Sequence, residues 1–292
     1  MGSINTSTLF NVDGIVAVIT GGGTGIGLMM AKALAFNGAS KVYIIGRRED
    51  KLREAAAIHP NIIPLPGDIV SKDELKSMAE KVRQDCGYVN LVIANAGMTG
   101  PGLESLKPRH TLKDFVNHAW SSSMDELNAV YELNCTALLY TVLAFLELLD
   151  EGNKQRKGSP KSQVIATAST ASYLRNPRAG FAYTSSKAAV ISLVKSLSTF
   201  CVPWGIRFNA IAAGLFPSAL AAPLYNPFRI NKAIPITEEG AFSRAYQPAE
   251  RAGSESDMTG TIIYLASQAG AFMNGSILLV DGGKLATMPA TY

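Results

Sequence analysis

The sequence predicts a doubly wound α/β domain, a parallel sheet of about seven strands with helices on both faces. Short apolar runs alternate with helix-length segments from Ile15 to Val280. These runs are continuously apolar, which fits strands covered on both faces. The first of them opens straight into a glycine cluster with a helix-like stretch behind it.

Taken in order, Ile15 to Ile19 is a β-branched run that ends at Thr20. Ile26 to Phe36 is helix-like and closes on Asn37-Gly38, a plausible C-cap. Val42 to Ile45 is the second strand, Glu49 to Ile58 the second helix and Ile62 to Leu65 the third strand. Ser71 opens a helix, with Glu74 at capping-box spacing. Leu91 to Ala94 is the fourth strand, and a long helix should cover about Met124 to Leu149. Val164 to Ala168, Arg207 to Ile211 and Ile277 to Val280 complete the strands. Lys187 to Phe200 and Thr259 to Ala266 supply further helix.

The rhythm persists to Asp281, so residues 1–292 read as a single domain. Three segments interrupt it. Met98 to Ser123 is polar, with Gly100, Pro101, Gly102 and Pro108. Asp150 to Ser162 is a loop whose Lys154 to Lys161 stretch is basic. Ala212 to Glu250, with five prolines, is too long for an ordinary connection and reads as a substrate lid.

Composition narrows the class. Hydrophobic residues make up 47%, enough for a large core, and only 17% are charged. The 27 Lys+Arg against 23 Asp+Glu give +4, without the basic patch of a nucleic-acid binder. Met1 to Asn11 lacks the features of a signal peptide, and no run reaches the roughly 18 apolar residues of a membrane span. Cys86, Cys135 and Cys201 fit neither a disulfide framework nor a C-x-x-C motif, so a reducing, cytoplasmic setting is expected. The ending Ala290-Thr291-Tyr292 matches no address signal. His59, His110 and His118 have no zinc spacing, and no metal is expected.

Two constellations carry chemistry. Thr20-Gly21-Gly22-Gly23-Thr24-Gly25-Ile26-Gly27 lies between strand and helix, where glycine lets a pyrophosphate approach the backbone. An NAD-binding site would place a carboxylate at the end of the second strand. Here Gly46 is followed by Arg47 and Arg48, which suits a 2′-phosphate and hence NADP(H), Arg47 being the stronger candidate. The alternative leaves both arginines as solvated loop residues. Tyr183 and Lys187 stand four apart, so phenol and ammonium share one helix face. A neighbouring cation should lower the tyrosine pKa.

With these residues in this order, the chain resembles the short-chain dehydrogenase/reductase family over nearly its whole length. The matches are the Thr20 to Gly27 loop, Asp68, Asn95-Ala96-Gly97, Asn134, Ser169, Tyr183 and Lys187. Gly214-Leu215-Phe216-Pro217-Ser218 and Asp281-Gly282-Gly283 look like a fungal branch, of secondary metabolism or related to 3-oxoacyl reductases. The resemblance implies that Tyr183 donates a proton to a carbonyl that Ser169 orients. It implies that Lys187 holds the nicotinamide ribose, and that Asn134 positions a water linking Lys187 to solvent. Asp68 with Ile69 would meet the adenine, and Asn95, Ala96 and Gly97 would wall the adenine-ribose side. Gly21, Gly23, Thr24, Gly25, Ile26 and Gly27 would cradle the phosphates, and Gly214, Phe216 and Ser218 would lie by the nicotinamide. A homodimer or homotetramer built on the two long helices is also implied.

The chain departs from the family pattern in places. Ala213 replaces the usual proline before Gly214, and Ser218 stands where threonine is common. The interval from Ser169 to Tyr183 is one residue longer than usual, and Thr170 competes with Ser169. The expected activity is NADPH-dependent reduction of a ketone on a small apolar or polycyclic metabolite. The alternatives are the oxidative direction, or a cofactor-binding protein with a non-redox role on the same fold.

Overall fold

The computed structural model describes residues 5–107, 109–155 and 160–291. Pro108, residues 156–159 of the expected basic loop, Tyr292 and the first four residues lie outside the described residues.

Seven strands form one parallel sheet in the order β3-β2-β1-β4-β5-β6-β7. They are β1 Val16–Thr20, β2 Lys41–Gly46, β3 Ile62–Pro66, β4 Leu91–Ala94, β5 Gln163–Ser169, β6 Arg207–Ala213 and β7 Ile277–Val280. The order reverses between β1 and β4, and such a switch point opens a crevice at the carboxyl ends of the strands. β5 and β6 are longer than their apolar runs suggest, so Ser169 and Ala213 end as paired neighbours at that edge.

The main helices are α2 Gly25–Phe36, α3 Glu49–Ala56, α4 Lys72–Cys86, α7 Ala137–Gln155, α8 Phe181–Phe200 and α10 Glu255–Ala266, with α1 Thr6–Leu9 a short N-terminal turn. On one face α2, α3 and α10 pack Met30, Leu34, Leu52 and Ile262 against Ile19 and Ile44 of the sheet. On the other, α4, α7 and α8 pack Met78, Phe145 and Val194 against Val18, Val92 and Phe208. Every residue of β1 and β6 is buried, as continuous apolar runs require.

Three expectations need correction. The long helix is α6 Met124–Tyr131, a π-helical turn Glu132–Thr136 and then α7, which runs to Gln155 and takes in the first part of the expected basic loop. Periodicity cannot reveal one inserted π turn, and such turns gather at functional sites. The polar stretch from Met98 to Ser123 contains a helix, α5 Leu112–Trp120, closed by a Thr111–Asp114 capping box. Its apolar residues Leu112, Val116 and Trp120 are exposed, so burial does not mark it. The helix expected from Thr259 starts at Glu255, because its first turn is polar and capped by Ser254. A short helix, α9 Ala222–Tyr225, lies inside the lid segment.

At Ser71 the hydroxyl accepts from the Glu74 amide, as the spacing suggests, but the Glu74 carboxylate accepts from the Asp68 amide instead of closing the box. All three cysteines are free, and only Cys201 is fully buried. Among the described residues one helix, Met124–Gln155, is long and apolar enough to cross a membrane by length and composition. Its Leu138, Val142, Phe145 and Leu149 are spent on the sheet core.

The start of α10 gives a stability prediction. Asp257 accepts from the Ser254 amide and hydroxyl and takes both ends of the Arg251 guanidinium, at 2.6 and 3.1 Å. Arg251 first, and then these hydrogen bonds, hold its carboxyl well below the usual range. Both side chains remain about a third exposed, which discounts the pair to about 1 kcal/mol. Asp257→Ala is expected to lower the thermal midpoint at pH 7 by about 1–2 °C. A depressed carboxyl stabilises above its ordinary pKa of about 4, so the difference between mutant and wild type should shrink as pH falls below that.

Candidate active site

A cavity of about 710 Å³ runs along the carboxyl edge of the sheet, from Arg47 and Arg48 past the glycine loop to Ser169, Tyr183 and the 214–247 segment. It collects every expected site residue except Gly27 and Asn134, which sit behind its wall. Sheet order explains this convergence, because the ends of β1, β2, β4, β5 and β6 are adjacent although distant in sequence.

The glycine turn is shaped by close packing. Gly21 has φ +65°, and a Cβ there would meet the Asn95 amide and Ala96 backbone at 3.0 and 3.1 Å. Gly25 has φ +55° and starts α2, whose cap residue Thr24 makes no side-chain cap. The first amides of α2 are therefore not claimed by a capping side chain. Thr20 accepts from the Asn95 and Ala96 amides through its hydroxyl, while Asn95 donates back to the Thr20 carbonyl and accepts from Thr167. Asn95 lines the cavity, but its polar atoms tie the ends of β1, β4 and β5 together.

At the far end of β2, Arg47 lies 3.7 Å from the Asp68 carboxylate, and Arg48 donates to the Thr24 hydroxyl at 3.1 Å. Both guanidiniums border the cavity. Asp68 is spent partly on its own loop, accepting from the Val70 amide.

The π turn carries Asn134, which is fully buried. Its amide accepts from the Met98 amide and donates to the Met98 carbonyl and the Ser186 hydroxyl, all within 3.0 Å. Its side chain therefore clamps the loop after β4 onto α8. Gly97 passes so close to this clamp that a Cβ would lie 3.0 Å from Asn134 Oδ1 and 3.3 Å from Lys187 Nζ.

Tyr183 and Lys187 occupy the first turns of α8, which follows Gly180 at φ +95°. Ser169 lines the same cavity as Tyr183, and its Oγ accepts from the Ala171 amide. Burial pushes the Tyr183 pKa up, and Ser169 opposes the shift. The expected lowering by Lys187 is not present. Its ammonium stands 5.9 Å from the ring centroid and donates to the Thr167 carbonyl at 2.7 Å. Burial also draws Lys187 itself down to about 8.

Beyond Tyr183, Gly214 passes Asp281 so tightly that a Cβ would lie 2.6 Å from its Cα. Phe216 is buried beneath Gly253, and the Ser218 hydroxyl accepts from the Ala221 amide. Arg178, Phe228, Tyr246 and Lys284 line the same end of the cavity. No spacing announces them, because they come from irregular segments that meet only in three dimensions.

A model of the short chain dehydrogenase family matches residues 15–227. The chain belongs to the short-chain dehydrogenase/reductase family. Short-chain dehydrogenase/reductase PhomF of Diaporthe leptostromiformis is 41% identical across 99% of this chain and 98% of its own. VdtF of Byssochlamys spectabilis, named in the same way, is also 41% identical, over 99% of both chains. Among solved structures, the Pseudomonas aeruginosa RhlG/NADP active-site complex is 26% identical, covers 94% of this chain and 98% of that one, and has a TM-score of 0.77. This member is thus an oxidoreductase of the family, with its sheet and glycine turn in place.

The buried lysine sets a pH limit for this short-chain dehydrogenase/reductase. Burial brings the Lys187 pKa down to about 8. A step that needs its positive charge should weaken above that pH, well short of the usual lysine range near 10.4. Steady-state kcat/KM for NADPH, followed from pH 6 to 10, is expected to fall with a midpoint near 8. A flat profile up to pH 10 would mean that the ammonium charge is not needed.

Proposed function

We propose that this enzyme reduces a ketone on a small apolar or polycyclic metabolite of fungal secondary metabolism, using NADPH. The observation that carries the reading is that Ser169, Tyr183 and Lys187 line one cavity continuous with the glycine turn.

The residues fit the cofactor. Gly21 and Gly25 hold positive φ where the backbone must bend, and the α2 amides are free of a capping side chain. Arg47 and Arg48 border the cavity where a 2′-phosphate would sit, and no carboxylate follows β2 directly. Asp68, Ile69, Ala96 and Gly97 would wall the adenosine, and Gly214, Phe216 and Ser218 the nicotinamide. Bound NADPH supplies the hydride.

The protein's own part is proton and position. Ser169 donates to the carbonyl oxygen and orients it. Tyr183 is kept neutral at physiological pH by burial, so it can give its proton to that oxygen. A neutral phenol suits the reductive direction, whereas oxidation needs tyrosinate. Lys187 supplies a cation beside the ribose position. Asn134 keeps Gly97 and Ser186 in place around that lysine.

The segment 212–250 forms the outer wall, with Leu224, Phe228 and Tyr246 turned toward the cavity, and acts as the substrate lid. Exposed Tyr131, Leu143, Phe181 and Phe200 on α6, α7 and α8 offer an apolar face for a homodimer or homotetramer.

The cofactor assignment is tested with Arg47→Ala combined with Arg48→Ala. NADPH affinity is expected to fall at least about tenfold, with NADH affinity little changed. An unchanged ratio of the two affinities in the double variant would refute the phosphate contact.

A further inference from the structure

Two cations, Arg178 and Lys284, line the substrate end of the cavity. Arg178 lies over the Phe228 ring, its guanidinium carbon 4.9 Å from the centroid. Lys284 lies over the Tyr246 ring, its ammonium 3.5 Å from the centroid, and donates to the Tyr246 carbonyl. The two rings are themselves stacked, 4.4 Å apart and 6° from parallel. All four residues line the cavity that contains Ser169 and Tyr183.

The chain spends structure on bringing these charges together. Arg178 sits on the loop between β5 and α8, and its carbonyl accepts from the Leu103 amide at 2.9 Å. Lys284 follows β7 in the C-terminal segment. That segment is tied to the same loop by the Leu174–Ala290 bridge and by the Arg175 amide on the Pro289 carbonyl. Among the described residues neither cation forms an ion pair. Asp281 is the nearby carboxylate, and it is spent on the Gly283 and Leu285 amides of its own turn.

Such an arrangement is costly. Burial, with Arg178 repelling it, pulls Lys284 down to about 8 against the weaker pull of Asp281. The Tyr246 face returns only part of the hydration that the half-buried Lys284 loses, and Arg178 beside it keeps contact with solvent, so the two cations together attract an anion brought by a ligand.

We infer that the substrate is a carbonyl compound with an apolar body and a carboxylate, the carboxylate being held between Arg178 and Lys284. This rests on the reading of Tyr183 and Ser169 as the end where the carbonyl reacts. Leu174, Leu224 and Met288 supply apolar wall along the same cavity. A neutral analogue of equal shape would leave both cations unpaired.

The test uses two probes of one skeleton, 2-naphthoate and its neutral amide, titrated by calorimetry into enzyme saturated with NADP⁺. The carboxylate is expected to bind at least about tenfold more tightly than the amide. Arg178→Met and Lys284→Met, which keep the apolar stems, should each cut that preference several-fold. The double variant should abolish it, with NADP⁺ affinity unchanged. Equal binding of the two probes, binding of neither, or a preference that survives the double variant would overturn the inference. A parallel loss of NADP⁺ affinity in the variants would overturn it too, by placing the cations on the cofactor. Failure of NADP⁺ to bind the unmodified enzyme would instead sink the cofactor reading, and the probe comparison, run on free enzyme, would still decide the carboxylate site.

Discussion

Tyr183→Phe is expected to bind NADPH like the unmodified enzyme and to reduce a ketone about 10²–10⁴-fold more slowly. The substitution removes one oxygen and leaves the ring, which is 8% exposed and packs with Ala171 and Ala179. Its structural cost is small, because Ser169 keeps its bond from the Ala171 amide. The whole effect should therefore fall on kcat, read by NADPH absorbance across a panel of ketones. Substantial turnover in the variant would assign the proton to another group. Pairing this measurement with Ser169→Ala separates delivery of the proton from orientation of the carbonyl. If Ser169 acts only by position, its loss should cost less than that of Tyr183.

Gly27→Ala should be the most damaging single methyl group in the cofactor half. A Cβ at Gly27 would lie 2.3 Å from the Gly21 carbonyl oxygen and 2.6 Å from Asn95 Nδ2. Neither can step aside. The first is backbone in the turn itself, and the second already donates to the Thr20 carbonyl. The start of α2 must then move off the glycine turn, at a cost of about 1–3 kcal/mol. NADPH affinity should fall more than about tenfold, since the amides that meet the phosphates shift with the helix. Gly260→Ala is the matched control. It lies inside α10, a Cβ there meets nothing within 4 Å, and the change should be neutral or stabilise by up to about 1 kcal/mol. Thermal unfolding and cofactor titration of both variants provide the comparison.

How far the sequence could be read follows from the range of each interaction. The strands, the glycine turn and the Tyr183–Lys187 pair are local patterns, and they stand where periodicity and spacing put them. The π turn at Asn134 is one extra residue in a helical register, too small a change for an apolar pattern to register. A spacing of four reveals that Lys187 neighbours Tyr183 but not the depth of burial that raises the tyrosine pKa. The cationic end of the cavity was missed altogether. Arg178, Phe228, Tyr246 and Lys284 have no periodic relation, and only the closure of the lid and C-terminal segment joins them.

That closure also bears on the order in which the molecule opens and forms. The glycine turn and its partners lie between Thr20 and Gly97, whereas the Thr291 amide reaches the Tyr173 carbonyl across 118 positions of chain. Contacts of such long loop length form late and are the first to be lost in partial unfolding. In native-state hydrogen exchange the Arg175 and Thr291 amides should therefore lose protection at lower free energy than those of β1. The catalytic pocket can then fray on its substrate side while the nucleotide half keeps its shape.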